Sequence, residues 1–192
     1  MVIGRRFAWS HLPKTGGTAT LAMFEVFPDL VEHADPRDSE TQHATFKDRR
    51  DEVAGKLLSL GLRRLPSWVL SRAQYVARFG LAPDFEPGPM RSPHELAADT
   101  LPDERLKAFT AGVRIDRWLR MEHLAEDLLA FIGELRDVSP DERERVEQLG
   151  SLNGIDYDHE VEHWFTPDQV RVMYERNPRW AALEREIYGE RG

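Results

Sequence analysis

Apolar positions recur along this chain first with the period of a strand, then with that of a helix, and the switches between the two predict its elements. Residues 5–10 hold a short apolar run, Phe7-Ala8-Trp9, read as a buried strand that leads into a Gly-rich turn; residues 18–27 follow as a helix. Residues 28–47 are polar and irregular. Residues 48–59 have helical spacing at Val53, Leu57 and Leu58, or run from helix into strand near Lys56, and Leu57 to Leu62 reads as a second strand ending at Arg63-Arg64. Pro66 then opens a helix with Trp68, Val69, Tyr75, Val76 and Phe79 on its apolar face. Residues 80–93, with four prolines, predict a loop and a candidate lid over a site. Residues 95–111 are helical in pattern, 113–121 alternate as a third strand, and 122–132 and 140–149 are helical again. A loop with aromatic content over 150–166 precedes two helices, 167–176 and 178–188, each opened by proline. No repeat or composition shift marks a second domain, so residues 1–192 are expected to form one. Strands alternating with helices predict an α/β fold: a small central parallel sheet flanked by helices, with a helical C-terminal part.

Composition narrows what such a fold does. Apolar residues make up 41% of the chain, enough for a real core. The net charge of −8 argues against general nucleic-acid binding, leaving only a local basic patch as a route to polyanions. There is no cysteine, so disulfides, thiolate catalysis and cysteine-ligated metals are excluded. Apart from His159 and His163, which have three residues between them, the histidines are scattered, and no metal is expected. No apolar run approaches the ~20 residues needed to span a bilayer, and the stretch before the turn is too short for a cleavable signal. A soluble, cytoplasmic protein is the expectation, monomeric or homodimeric.

The chemistry concentrates in residues 11–18, His-Leu-Pro-Lys-Thr-Gly-Gly-Thr. A strand, a Gly-rich turn and a helix in that order make an anion site, because turn amides and the helix N-terminus point at one spot and the helix dipole favours negative charge there. Lys14 adds a mobile cation. An ATPase loop places lysine after its glycines; here Lys14 precedes Gly16 and Gly17. The stretch resembles the 5′-phosphosulfate-binding loop of the sulfotransferase family, specifically its carbohydrate-modifying branch, where the loop reads much like His-x-x-Lys-Thr-Gly-Gly-Thr. The chain looks like a short, bacterial-type member.

That resemblance implies a P-loop-like three-layer fold and a reaction: transfer of a sulfuryl group from 3′-phosphoadenylyl sulfate to a hydroxyl, leaving adenosine 3′,5′-bisphosphate (PAP), with no metal. It implies that Lys14, Thr15, Gly16, Gly17 and Thr18 hold the 5′-phosphate side of the donor, with Lys14 neutralising charge on the leaving oxygens. It also implies an arginine at a strand end and a serine on the next helix for the 3′-phosphate. Here the family spacing is split. Arg64 fits the distance to Pro66, Arg63 fits the distance to Ser71, and the choice stays open with Arg63 slightly favoured. The acceptor hydroxyl needs a base. Candidates are His33, His43 and Glu32, of which His43 is preferred, while His11 is expected to order the loop. Arg120 and Glu122 resemble a family junction, read as an ion pair bracing sheet to helix, and Asn153 with His163-Trp164-Phe165 resembles its C-terminal pattern, where Trp164 or Phe165 would stack on adenine or, as preferred for both, pack in the core. The acceptor would be a carbohydrate or small molecule. Two other readings compete: a nucleotide-dependent kinase of P-loop ancestry, and a non-catalytic binding protein that kept the fold.

Overall fold

The structure is a computed structural model, and it describes residues 1–36, 39, 41–79, 91–149 and 156–189. Most of the proposed lid (residues 80–90) and Asn153 lie outside the described residues. The chain divides into two units, Met1–Leu62 with Lys107–Asn153, and Arg63–Leu106 with Gly154–Gly192.

The first unit holds a five-stranded sheet in the order β3-β1-β2-β4-β5, with β1 Val2–Gly4, β2 Phe7–Ser10, β3 Val31–Ala34, β4 Leu57–Leu62 and β5 Arg117–Arg120. The expected parallel sheet is present as β2-β4-β5. It is extended by an antiparallel hairpin partner, β1, and by the edge strand β3. All four residues of β2 are buried, as a central strand covered on both faces requires. Asp116 fixes the β4–β5 register: its amide donates to the Leu58 carbonyl at 2.8 Å and its carboxylate accepts the Leu58 amide at 2.8 Å.

Helix α1 (Gly17–Phe24) follows β2, and a short helix α2 (Arg50–Val53) precedes β4. The core of this unit is aromatic: Phe7 stacks on Phe24 with ring centroids 5.5 Å apart and meets Phe131 edge-on at 5.5 Å. Phe131 lies on α6 (Leu124–Leu135), which shares that core with α7 (Pro140–Leu149) through Val146. Each such buried ring is worth ~1.5–3 kcal/mol of transfer free energy.

The second unit is helical. It contains α3 (Leu65–Phe79), α4 (Pro93–Ala97), α8 (Pro167–Arg176) and α9 (Pro178–Tyr188), with α5 (Leu101–Thr110) running across its boundary. The single helix expected over 95–111 is two, the first opened by a reciprocal cap between Ser92 and Glu95. Thr166 and Gln169 cap α8 in the same way. The Asp103 carboxylate accepts the Arg179 and Trp180 amides at 3.0 and 2.7 Å, which closes the N-terminus of α9. No helix among the described residues is long and apolar enough to cross a membrane.

Candidate functional site

In the first unit the chain leaves β2 at Ser10 and enters α1 at Gly17, and the turn between them takes two left-handed residues. Gly16 has φ 86° and Lys14 has φ 67°; Lys14 is the sole non-glycine with positive φ among the described residues. A lysine held there costs about 1–3 kcal/mol, a strain that persists where surroundings fix it, commonly at functional sites. Gly16 is also the N-terminal boundary of α1, which has no side-chain cap and no acidic residue in its first turn. The first amides of the helix therefore take no acceptor from their own helix, and nothing negative in that turn competes for them.

Hydrogen bonds within the loop hold this shape. The Thr15 hydroxyl donates to the Leu12 carbonyl at 2.7 Å, and the Thr20 hydroxyl donates to the Gly16 carbonyl at 3.0 Å. Thr15 is 1% exposed and its hydroxyl braces the turn, while Thr18 is exposed. A Cβ on Gly61 in β4 would press on Thr15, so glycine lets the turn lie against the strand. Sequence reasoning passed over Gly61, although a glycine inside a strand signals close backbone approach.

His11 is the hinge of the arrangement. Its ring stacks on Trp9 at 5.6 Å and lies where any side chain on Gly17 would be. Burial first, then the nearby charges of His43, the N-terminal ammonium and Lys14, push His11 down to about 3. It is therefore neutral at physiological pH and unsuited to act as a base. The Gln42 side-chain amide donates to its Nδ1 at 3.4 Å, which leaves the ring proton on Nε2. Gly17→Ala should force the His11 ring out of place and cost about 1–3 kcal/mol, the usual penalty of overpacking, read as a lower urea midpoint with an unchanged slope.

The structure brings His43 to this turn. Its ring centroid is 4.5 Å from that of His11, and its Nδ1 donates to the His11 carbonyl oxygen at 3.0 Å. That bond puts the proton of the neutral ring on Nδ1 and the lone pair on Nε2, the form a general base needs. The segment just after His43 is tied down: the Ser10 hydroxyl donates to the Ala44 carbonyl at 2.7 Å, and Asp48 accepts the Thr45 amide and hydroxyl at 2.8 Å each. Those bonds from Thr45 hold the Asp48 carboxyl below the usual carboxylate range. His33 instead sits on edge strand β3, paired with the buried Asp35 at 2.9 Å, and Glu32 lies 3.8 Å from Lys56. Arg120 closes a bidentate pair with Asp127 on α6, at 2.9 and 2.6 Å, so the sheet-to-helix brace runs through Asp127, where the sequence pointed to Glu122.

In the second unit, Arg63 and Arg64 open the way into α3. Ser71 lies buried one and a half turns along it, 6% exposed. Arg64 pairs with Glu184 at 3.2 Å. Phe165 is buried, as expected of a core residue, and the Trp164 indole donates to the Asp158 carbonyl at 2.8 Å. Among the described residues no three His, Asp or Glu side chains are grouped so as to hold a metal ion.

No protein-family profile and no curated protein sequence matches the chain. A solved structure does: mouse sulfotransferase SULT7A1 complexed with PAP, with a TM-score of 0.52, 11% sequence identity, and coverage of 96% of this chain and 88% of that chain. At that identity the likeness is one of fold, and it is the α/β fold shared with a sulfotransferase.

Proposed function

We propose that this protein is a sulfotransferase that moves a sulfuryl group from 3′-phosphoadenylyl sulfate to a hydroxyl of a carbohydrate or small-molecule acceptor. One observation carries the reading: a left-handed lysine ahead of two glycines, in a turn that opens an uncapped helix, with the His43 ring against His11 at its start. The fold shared with a sulfotransferase supports it, and the 96% coverage supports treating residues 1–192 as one such domain.

In this reading the amides of residues 15–18 and the Thr18 hydroxyl take the 5′-phosphate oxygens, and Lys14 neutralises charge on the bridging and leaving oxygens. The acceptor oxygen forms its bond to sulfur as the bond from sulfur to the donor's phosphate oxygen breaks. The hydroxyl proton passes to His43 Nε2, and PAP departs. An arginine of the 63–64 pair, with Ser71, takes the 3′-phosphate that distinguishes this donor from ATP. No step calls for a metal. Cytoplasmic location and a monomeric or homodimeric state belong to the same proposal.

Thermal denaturation with candidate nucleotides tests it. PAP at about 100 times its dissociation constant should stabilise the fold by ~2.7 kcal/mol, and ATP with Mg²⁺ should not. Stabilisation by ATP with Mg²⁺ alone would replace this reading with a kinase. No response to either would favour a non-catalytic relative.

A further inference from the structure

Two adjacent arginines compete for one role in the sequence, and α9 treats them differently. Trp180, Glu184 and Tyr188 are spaced i, i+4, i+8 and so share one face of that helix. All three meet the junction between β4 and α3. The Trp180 indole donates to the Arg63 carbonyl at 3.0 Å. The Glu184 carboxylate accepts the Leu65 amide at 2.9 Å through Oε2. Its Oε1 accepts from Arg64 at 3.2 Å and from the Tyr174 hydroxyl at 2.9 Å. The Arg64 guanidinium lies 4.5 Å above the centre of the Tyr188 ring. Glu184 is 5% exposed, so the carboxylate is held inside while the Arg64 side chain reaches it from solvent.

Arg64 is thus engaged by a buried carboxylate on one side and an aromatic face on the other. Arg63 is not. Its Nε is buried and has no hydrogen-bond partner among the described residues. A buried guanidinium N–H left unmatched is costly, and such a group calls for an explanation, a ligand being one.

We propose that α9 is a selector: Trp180, Glu184 and Tyr188 draw Arg64 onto α9 and fix the backbone of residues 63–65, leaving Arg63, with Ser71, to read the 3′-phosphate. Glu184 is a positioning residue here, acting through the two arginines. The inference rests on the sulfotransferase reading above and deepens it.

Titration calorimetry with two probes tests it, PAP and adenosine 5′-monophosphate, which lacks the 3′-phosphate. The readout is the ratio of their dissociation constants. Wild-type protein should prefer PAP by about 10–100-fold, the worth of one or two charge-assisted hydrogen bonds. Arg63→Ala should bring the ratio close to one, while Arg64→Ala should leave it within about threefold. Glu184→Ala should lower it about five- to tenfold with little change for the monophosphate, because the freed Arg64 then competes. Adding Arg64→Ala to Glu184→Ala should recover part of the loss, which a purely structural role for Glu184 would not produce. Glu184→Gln keeps an acceptor for the Leu65 amide and serves if the alanine variant does not fold; it too should lower the ratio. Loss of selectivity in Arg64→Ala, equal loss in both arginine variants, or an unchanged ratio in the Glu184 variants of a PAP-selective protein would overturn the selector and leave the sulfotransferase reading standing. Wild-type protein that binds neither probe would end both.

Discussion

Lys14→Ala should lower sulfuryl transfer by about 100–1000-fold, the loss typical when one preorganised group facing a developing negative charge is removed, with the fold intact. The side chain is half-buried at the mouth of a turn whose own hydrogen bonds, Thr15 to Leu12 and Thr20 to Gly16, do not involve it. Alanine also keeps a Cβ at φ 67°, so the variant carries the same backbone strain as the wild type. Lys14→Gly makes the complementary control: it relieves the left-handed strain and should raise the melting temperature while losing as much activity as alanine does. Because leaving-group charge grows only as the S–O bond breaks, the loss should fall on kcat more than on the KM of the donor. Activity of Lys14→Ala within about threefold of wild type would remove lysine from the mechanism.

Elements whose ends are set by local chemistry were legible in the sequence. Leu57–Leu62 and the helices at Pro140–Leu149, Pro167–Arg176 and Pro178–Tyr188 stand where the pattern put them. In each helix a proline sits at the first position, where its missing N–H costs nothing. Elements whose existence depends on a partner elsewhere were not. β3 (Val31–Ala34) is a mostly exposed edge strand with no alternation to see, and it forms because β1 lies beside it. The strand expected over 113–121 shrinks to Arg117–Arg120, since Asp116 turns its side chain back onto the Leu58 amide.

The candidate site divides the same way. Lys14, Gly16 and Gly17 follow from a turn motif, whereas His43 stands 32 residues beyond His11 and reaches the turn only through the tertiary fold. Glu184 lies 120 residues from Arg64 in the chain, and a glutamate on an amphipathic helix reads as surface. Spacing around Pro66 leaves Arg63 and Arg64 equivalent because what separates them is tertiary: which guanidinium a distant carboxylate takes. The stripe Trp180, Glu184, Tyr188 was the available signal, an acid set between two aromatics on one helix face.

His43→Ala should cost about 100–10,000-fold in kcat, the range for a positioned general base, while leaving PAP affinity close to that of wild type. The distinction from Lys14 is the point of the measurement. Among the described residues His43 meets the loop at the His11 ring and carbonyl, and it is itself exposed, so its removal takes away a proton acceptor without disturbing the amides proposed to hold phosphate. One further readout follows from that geometry. Added imidazole should restore part of the rate, because the space left by an exposed side chain admits a small base from solvent. His11→Ala would behave otherwise. That ring, held neutral by burial, has no proton to gain or lose near pH 7, and its loss would slacken the packing on Gly17, weakening PAP binding with no imidazole rescue. A His43→Ala protein that keeps its full rate would leave the hydroxyl proton to another acceptor, and among the described residues the His33–Asp35 pair on β3 would be next to test.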